Sequence, residues 1–138
     1  MEGKLKVFSD GASRGNPGES GIGYIIKDQD GKILRKDSDY LGEATNNVAE
    51  YTALVRALQE CIELGAKHIE VCVDSELVTK QINGEYRVKN EGLVPLYRQV
   101  KSLLKKFENY SLTYIPREKN KEADKLANEG IDGGGCVD

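Results

Sequence analysis

Apolar residues along this chain recur at two spacings, two and about 3.6, and the switches between them predict its elements. Residues 4–11 alternate, with Leu5 and Val7 on one side, and read as a strand that stops at the acid–glycine pair Asp10-Gly11. Residues 11–21 are rich in Gly, Ser, Asn and Pro and read as a loop. Residues 21–27 and 32–41 are two more strands, joined across Gln29-Asp30-Gly31, a hairpin signal that suggests an antiparallel meander. Ile69, Val71 and Val73 alternate through residues 68–73, a strand ending in another acid, Asp74. Residues 110–115 are the last strand.

The helical spacing begins after Thr45-Asn46-Asn47, one of which is the cap. Its apolar stripe is Val48, Tyr51, Leu54, Val55, Leu58 and Ile62, and Gly65 is the expected stop. Glu50 lies at the margin of that stripe, unlike the solvent-facing Glu60 and Glu63. Ser75 caps a short helix over 76–83 closed by Gly84, and 85–92 is a polar connector. A second long helix covers 93–107, with Pro95 in its first turn, where proline is tolerated. Asn120 caps a helix through residue 129, and Asp124 sits in its first turns, where the helix dipole favours an anion. The order βββαβααβα defines an α/β domain over residues 1–131, with a mixed sheet and helices on its faces. Residues 132–138 are expected to be a flexible Gly-rich tail.

Composition narrows the function classes. A chain of 138 residues, 38% hydrophobic and 31% charged, suits one globular domain. No stretch approaches the length of a membrane helix, and no apolar leader opens the sequence, so no membrane partner is expected. Cys61, Cys72 and Cys136 are odd in number and scattered. They suit neither zinc nor a disulfide framework, so a reducing cytoplasm and a monomer are the expectation. The glycine-rich loop lacks the Gly-Lys-Ser/Thr ending of a P-loop, which argues against a nucleoside triphosphate site. Net charge is −3, yet residues 80–106 hold seven basic and two acidic side chains, a local balance of +5.

Four acids stand at unusual places: Asp10 and Asp74 at strand ends, Glu50 on a helix margin and Asp124 in an early helical turn. They are separated by 40, 24 and 50 residues, so only the fold can assemble them. A carboxylate at the mouth of a buried strand must be paired, hydrogen-bonded or bound to a cation. Assembled without a cation, the four would raise one another's pKa. Oxygen donors without a Cys/His cluster favour Mg²⁺ or Mn²⁺ over zinc. Two such ions about 4 Å apart are suited to phosphodiester chemistry.

Taken together, Asp10-Gly11 with Asn16-Pro17-Gly18, then the run from Thr45 through Asn46, Asn47, Val48, Ala49 and Glu50 to Tyr51, then Asp74-Ser75, and the run from Pro116 to Asp124 resemble type 1 ribonuclease H. The resemblance runs from about residue 4 to 131. It implies a ribonuclease H-like fold with a five-stranded mixed sheet, the first three strands antiparallel. It implies cleavage of RNA in an RNA/DNA hybrid, with Asp10, Glu50, Asp74 and Asp124 as catalytic ligands of two Mg²⁺, Mn²⁺ being the alternative ion. It also implies substrate contacts from Gly11, Ser13, Asn16, Asn46 and Asn47, a 2′-hydroxyl contact from Glu50, and DNA-strand phosphate contacts from Thr45 and Asn90.

Two departures from the family pattern stand out. Residues 81–89 take a shorter path where many members carry a basic helical handle. Affinity would then rest on residues such as Lys80, Arg87 and Lys89. Arg117 stands where many members have a mobile histidine and is assigned here as an electrostatic catalytic residue. The only histidine, His68, opens a strand elsewhere. Double-stranded RNA remains an alternative substrate because it shares A-like geometry and 2′-hydroxyls. A non-catalytic nucleic-acid-binding module is a further alternative, though a binder has no need to hold repelling carboxylates together.

Overall fold

The computed structural model describes residues 3–134. Strands β1 (Lys4–Gly15), β2 (Gly18–Lys27) and β3 (Ile33–Ala44) form the expected antiparallel meander. Helix α1 (Asn46–Glu63) crosses to β4 (His68–Val73). Helices α2 (Glu76–Ile82) and α3 (Val94–Leu104) then lead to β5 (Asn109–Tyr114), and α4 (Lys121–Gly134) closes the described chain after a 3-10 turn, Arg117–Lys119. The five strands lie in the order β3-β2-β1-β4-β5, with β4 parallel to both β1 and β5.

Strand alternation assigns the faces. Gly11 pairs with Ile22, and a side-chain carbon on Gly11 would collide with the Ala49 backbone, so α1 covers that face. Asp10 pairs with Gly23, and Gly21 and Gly23 bring the opposite face against α4 at Ala123, Leu126 and Ala127. The main core lies between the α1 face and α1 itself, where Leu5, Val7, Tyr24, Ile26, Tyr51, Leu54, Leu58 and Val71 are buried. Each large side chain buried there stabilises the fold by about 1.5–3 kcal/mol.

Two expectations are corrected and one is narrowed to a single residue. Residues 11–21 are not a loop: β1 and β2 continue through them as a ladder, and only the tip at Asn16-Pro17 turns. Thr45 is the cap of α1, its hydroxyl accepting from Val48 N at 3.2 Å, so Asn46 and Asn47 are the first helical residues. The final helix runs past residue 129 to Gly134, which makes residues 132–134 of the expected tail helical. Gly130 lets α4 lie against the Asp39 backbone of β3, and Asp132 ion-pairs with Arg14. The rest of that tail, with Cys136, lies outside the described residues. Among those described, no helix stands between α2 and α3, in keeping with the missing handle, and none is long and apolar enough to cross a membrane.

Candidate active site

The site is built where β1, β4, α1 and α4 meet. The β1–β4 register pairs Val7 with Val71 and Phe8 with Cys72, and carried two residues further it sets Asp10 beside Asp74. Glu50 arrives from α1 because Gly11 has no side chain. The helix backbone at Ala49–Glu50 rests on the strand there, and a Gly11 backbone hydrogen bond meets the Glu50 carboxyl. Carboxylate oxygens of Asp10, Glu50 and Asp74 all lie within 4.8 Å of one another. Asp124 approaches from the first turns of α4, close enough for its charge to act on Asp10, without joining that tightest group.

Burial makes this arrangement costly. Asp10 is 4% exposed and Glu50 8%. Burial raises the Asp10 carboxyl from 3.8 to about 7; its hydrogen bond with Glu50 opposes the rise, and the charges of Asp74 and Asp124 add to it. Glu50 is pushed well up by burial first and then by the Asp10 charge. Asp74 is raised by burial, while a hydrogen bond from Asn120 and the charge of Arg117 pull it back. The buried Asn120 amide donates to Asp74 Oδ2 and to the Ser9 carbonyl, both at 3.0 Å, tying the start of α4 to the ends of β1 and β4. Hard oxygen donors held together against their own repulsion fit a divalent cation.

The acids open onto a cavity of about 620 Å³. Gly11, Ser13, Asn16, Asn46, Asn47 and Arg117 line it. The hairpin tip is bound to the start of α1, where Asn16 Oδ1 accepts from Asn46 N at 3.0 Å, and to the end of β3, where the Ser13 hydroxyl faces the Ala44 carbonyl at 3.0 Å. Arg117 is largely exposed and lies 3.9 Å from Asp124 Oδ1. Thr45 and Asn90 are not among the lining residues. Thr45 caps α1, and exposed Asn90 accepts from Gly92 N ahead of α3. The basic residues of 80–106 also lie off the cavity, and Lys80 pairs with Glu76 and stacks over Tyr86. Sequence reasoning missed Arg14 and Asn128, which line the cavity, and the anchoring role of Asn120. The one available signal was that Asn128 stands four residues, one helical turn, after Asp124.

The five-stranded order with its cluster of acids defines the ribonuclease H-like class. A family profile described as reverse transcriptase-like matches residues 8–130. The ribonuclease HI of Halobacterium salinarum is 41% identical over 94% of this chain. The chain spans 65% of the length of that relative. A crystal structure of RNase H1 from the same archaeon superposes with a TM-score of 0.92 at 40% identity, covering 95% of this chain and 99% of that one. LC11-RNase H1, solved in complex with RNA/DNA hybrid, gives 0.89 at 42% identity, covering 94% and 98%. The chain belongs to the type 1 ribonuclease H family.

Proposed function

We propose that this protein is an endoribonuclease that hydrolyses the RNA strand of RNA/DNA hybrids, with Asp10, Glu50, Asp74 and Asp124 holding two divalent cations. Mg²⁺ is the first choice and Mn²⁺ the alternative. The observation that carries the reading is the convergence of Asp10, Glu50 and Asp74 within 4.8 Å in a largely buried setting, an arrangement that repels itself unless protons or cations occupy it. When bound, the cations would neutralise the scissile phosphodiester and lower the pKa of the attacking water.

The chain's own groups do the positioning. Asn120 holds Asp74 by a direct hydrogen bond, and the glycine at 11 lets α1 deliver Glu50. Asn16, Ser13, Asn46 and Asn47 form one wall of the cavity, braced by hydrogen bonds from the hairpin to α1 and to the end of β3, and present amide and hydroxyl groups to sugar edges of the hybrid. In this reading Glu50 meets a 2′-hydroxyl, the group that separates RNA from DNA. Thr45 Oγ1 accepts from Val48 N but keeps its O–H, and Asn90 keeps its NH₂; both remain available to a DNA-strand phosphate outside the cavity. Arg117, charged at every working pH, attracts the phosphate and moves no proton. Two buried free thiols, Cys61 and Cys72, are compatible with a reducing cytoplasm, where we place the protein as a monomer.

The test is cleavage of labelled hybrid, double-stranded RNA, single-stranded RNA and double-stranded DNA, each with Mg²⁺, Mn²⁺ or EDTA. Hybrid cleavage that needs the cation is the expected result. Binding of hybrid without cleavage under both cations would instead establish a binding module, and preferential cutting of double-stranded RNA would change the substrate.

A further inference from the structure

A line of side chains runs from the β1–β2 hairpin along α4 and ends on Asp124. Arg14 donates through Nη1 to Asp132 Oδ1 at 2.6 Å and through Nη2 to Asn128 Oδ1 at 3.4 Å. Asn128 donates through Nδ2 to the Asp124 carbonyl at 3.0 Å and to its carboxylate Oδ1 at 3.4 Å. Asp124, Asn128 and Asp132 follow one another at intervals of four residues and share a helix face. Arg14, Asn128 and Asp124 all border the cavity.

Donor and acceptor identity gives this line its direction. Guanidinium only donates, a carboxylate only accepts, and an amide has one end of each kind. With Arg14 on one side and the two Asp124 oxygens on the other, only one orientation of the Asn128 amide satisfies both. Reversal would set NH₂ against N–H and oxygen against two oxygens. Contacts of 3.4 Å are long and weak singly, so the effect lies in this matching rather than in strength. The Arg14–Asp132 ion pair is about half exposed on both sides and adds little to stability. It does hold one arm of the guanidinium, so that the other arm meets Asn128. Arg117, the other cation near Asp124, is 82% exposed at 3.9 Å and constrains the carboxylate less.

We infer that Arg14 and Asn128 are positioning residues that aim the Asp124 carboxylate at the Asp10–Glu50–Asp74 cluster, with Asp132 as the anchor of Arg14. The inference rests on the cation-binding reading above and states how its fourth acid, the one outside the tightest group, is held. Supporting groups that orient a metal ligand commonly set metal affinity by about tenfold or more when removed.

The experiment is calorimetric titration of Mn²⁺ into the protein without nucleic acid, together with thermal unfolding in EDTA. The proteins are the parent, Arg14→Ala, Asn128→Ala, the double variant, Arg14→Lys and Asp124→Asn. Asp124→Asn defines the binding step that depends on the fourth acid. Arg14→Ala and Asn128→Ala are each expected to weaken that step about tenfold. The double variant should lose no more than one single variant, because the two act in series. Arg14→Lys, which lacks the fork needed to reach Asp132 and Asn128 together, should fall between parent and Arg14→Ala. Unfolding temperatures in EDTA should stay close to the parent's. Parental Mn²⁺ affinity in both single variants, with the step lost in Asp124→Asn, overturns the inference and leaves the cation reading standing. Parental binding by Asp124→Asn overturns both. Additive losses that follow a falling unfolding temperature assign the line of contacts to fold stability and likewise overturn the inference.

Discussion

Replacing Asp10 with Asn removes one charge from the cluster while keeping the size of the side chain, and its effect on stability should depend on pH. The Asp10 carboxyl stands at about 7 against an ordinary 3.8, chiefly because it is buried. Its proton is therefore held more tightly in the folded state than in the unfolded chain. The associated stability is fully present below about pH 3.8 and is lost as pH rises through about 7. A difference of about three pH units at about 1.4 kcal/mol each gives roughly 4 kcal/mol, of which about 3 kcal/mol falls between pH 5 and 8. Asn carries no such proton. In EDTA the variant should match the parent near pH 5 and become the more stable by about 2–3 kcal/mol at pH 8. Urea unfolding of both proteins at pH 5, 6, 7 and 8 reads this directly. Mg²⁺ at pH 8 should restore stability to the parent and much less to the variant, since a ligand that binds only the folded state stabilises it. A parent-to-variant difference that stays flat from pH 5 to 8, within about 0.5 kcal/mol, would refute the account of a strained carboxylate cluster.

Asn120→Ala removes the hydrogen bond that its Nδ2 donates to Asp74 Oδ2 and should cost about 1–3 kcal/mol in urea unfolding; it should also move cation binding to higher pH, because Asp74 loses the hydrogen bond that lowers its pKa. Gly11→Ala drives a methyl into the backbone of Ala49 and Glu50 and should destabilise by at least about 3 kcal/mol, measured by thermal unfolding; a parental melting curve would contradict the close approach of α1 to β1. Arg117→Ala should slow single-turnover cleavage roughly tenfold to a hundredfold, about 1.4 to 2.7 kcal/mol, without changing the shape of the pH–rate profile. His68→Ala, at the opposite end of β4 from Asp74 and hydrogen-bonded to Asn109, should leave that profile intact; a change in its shape would assign His68 a role we deny. Hybrid binding in Ca²⁺ should weaken only modestly between about 50 and 200 mM salt, since among the described residues only Arg14 and Arg117 bring positive charge to the cavity; a thousandfold loss would reveal a larger basic footprint.

Local pattern was enough where burial is regular. Residues 68–73 alternate because one face of β4, carrying Ile69, Val71 and Val73, is buried in the main core, and the strand occupies those residues. The stripe of α1 and the caps Thr45 and Ser75 follow from helical spacing and side-chain acceptors, so both helices start within a residue of where the sequence puts them. The position of Glu50 on the stripe margin already marked it as an acid turned away from solvent. Where small residues serve packing, local pattern misleads. Gly11 and Gly21 look like turn formers, yet they sit in strands because α1 and α4 need their faces clear. Gly130 looks like a helix end, yet α4 passes through it and gains contact with Asp39. Asn90 matched a motif position and stands outside the cavity, while Arg14 and Asn128 border it with no motif to mark them. The acids themselves could be named from strand ends and helix margins. Their approach to within 4.8 Å depends on β4 lying beside β1 after a crossover through α1, a pairing of residues 64 apart that no local spacing encodes.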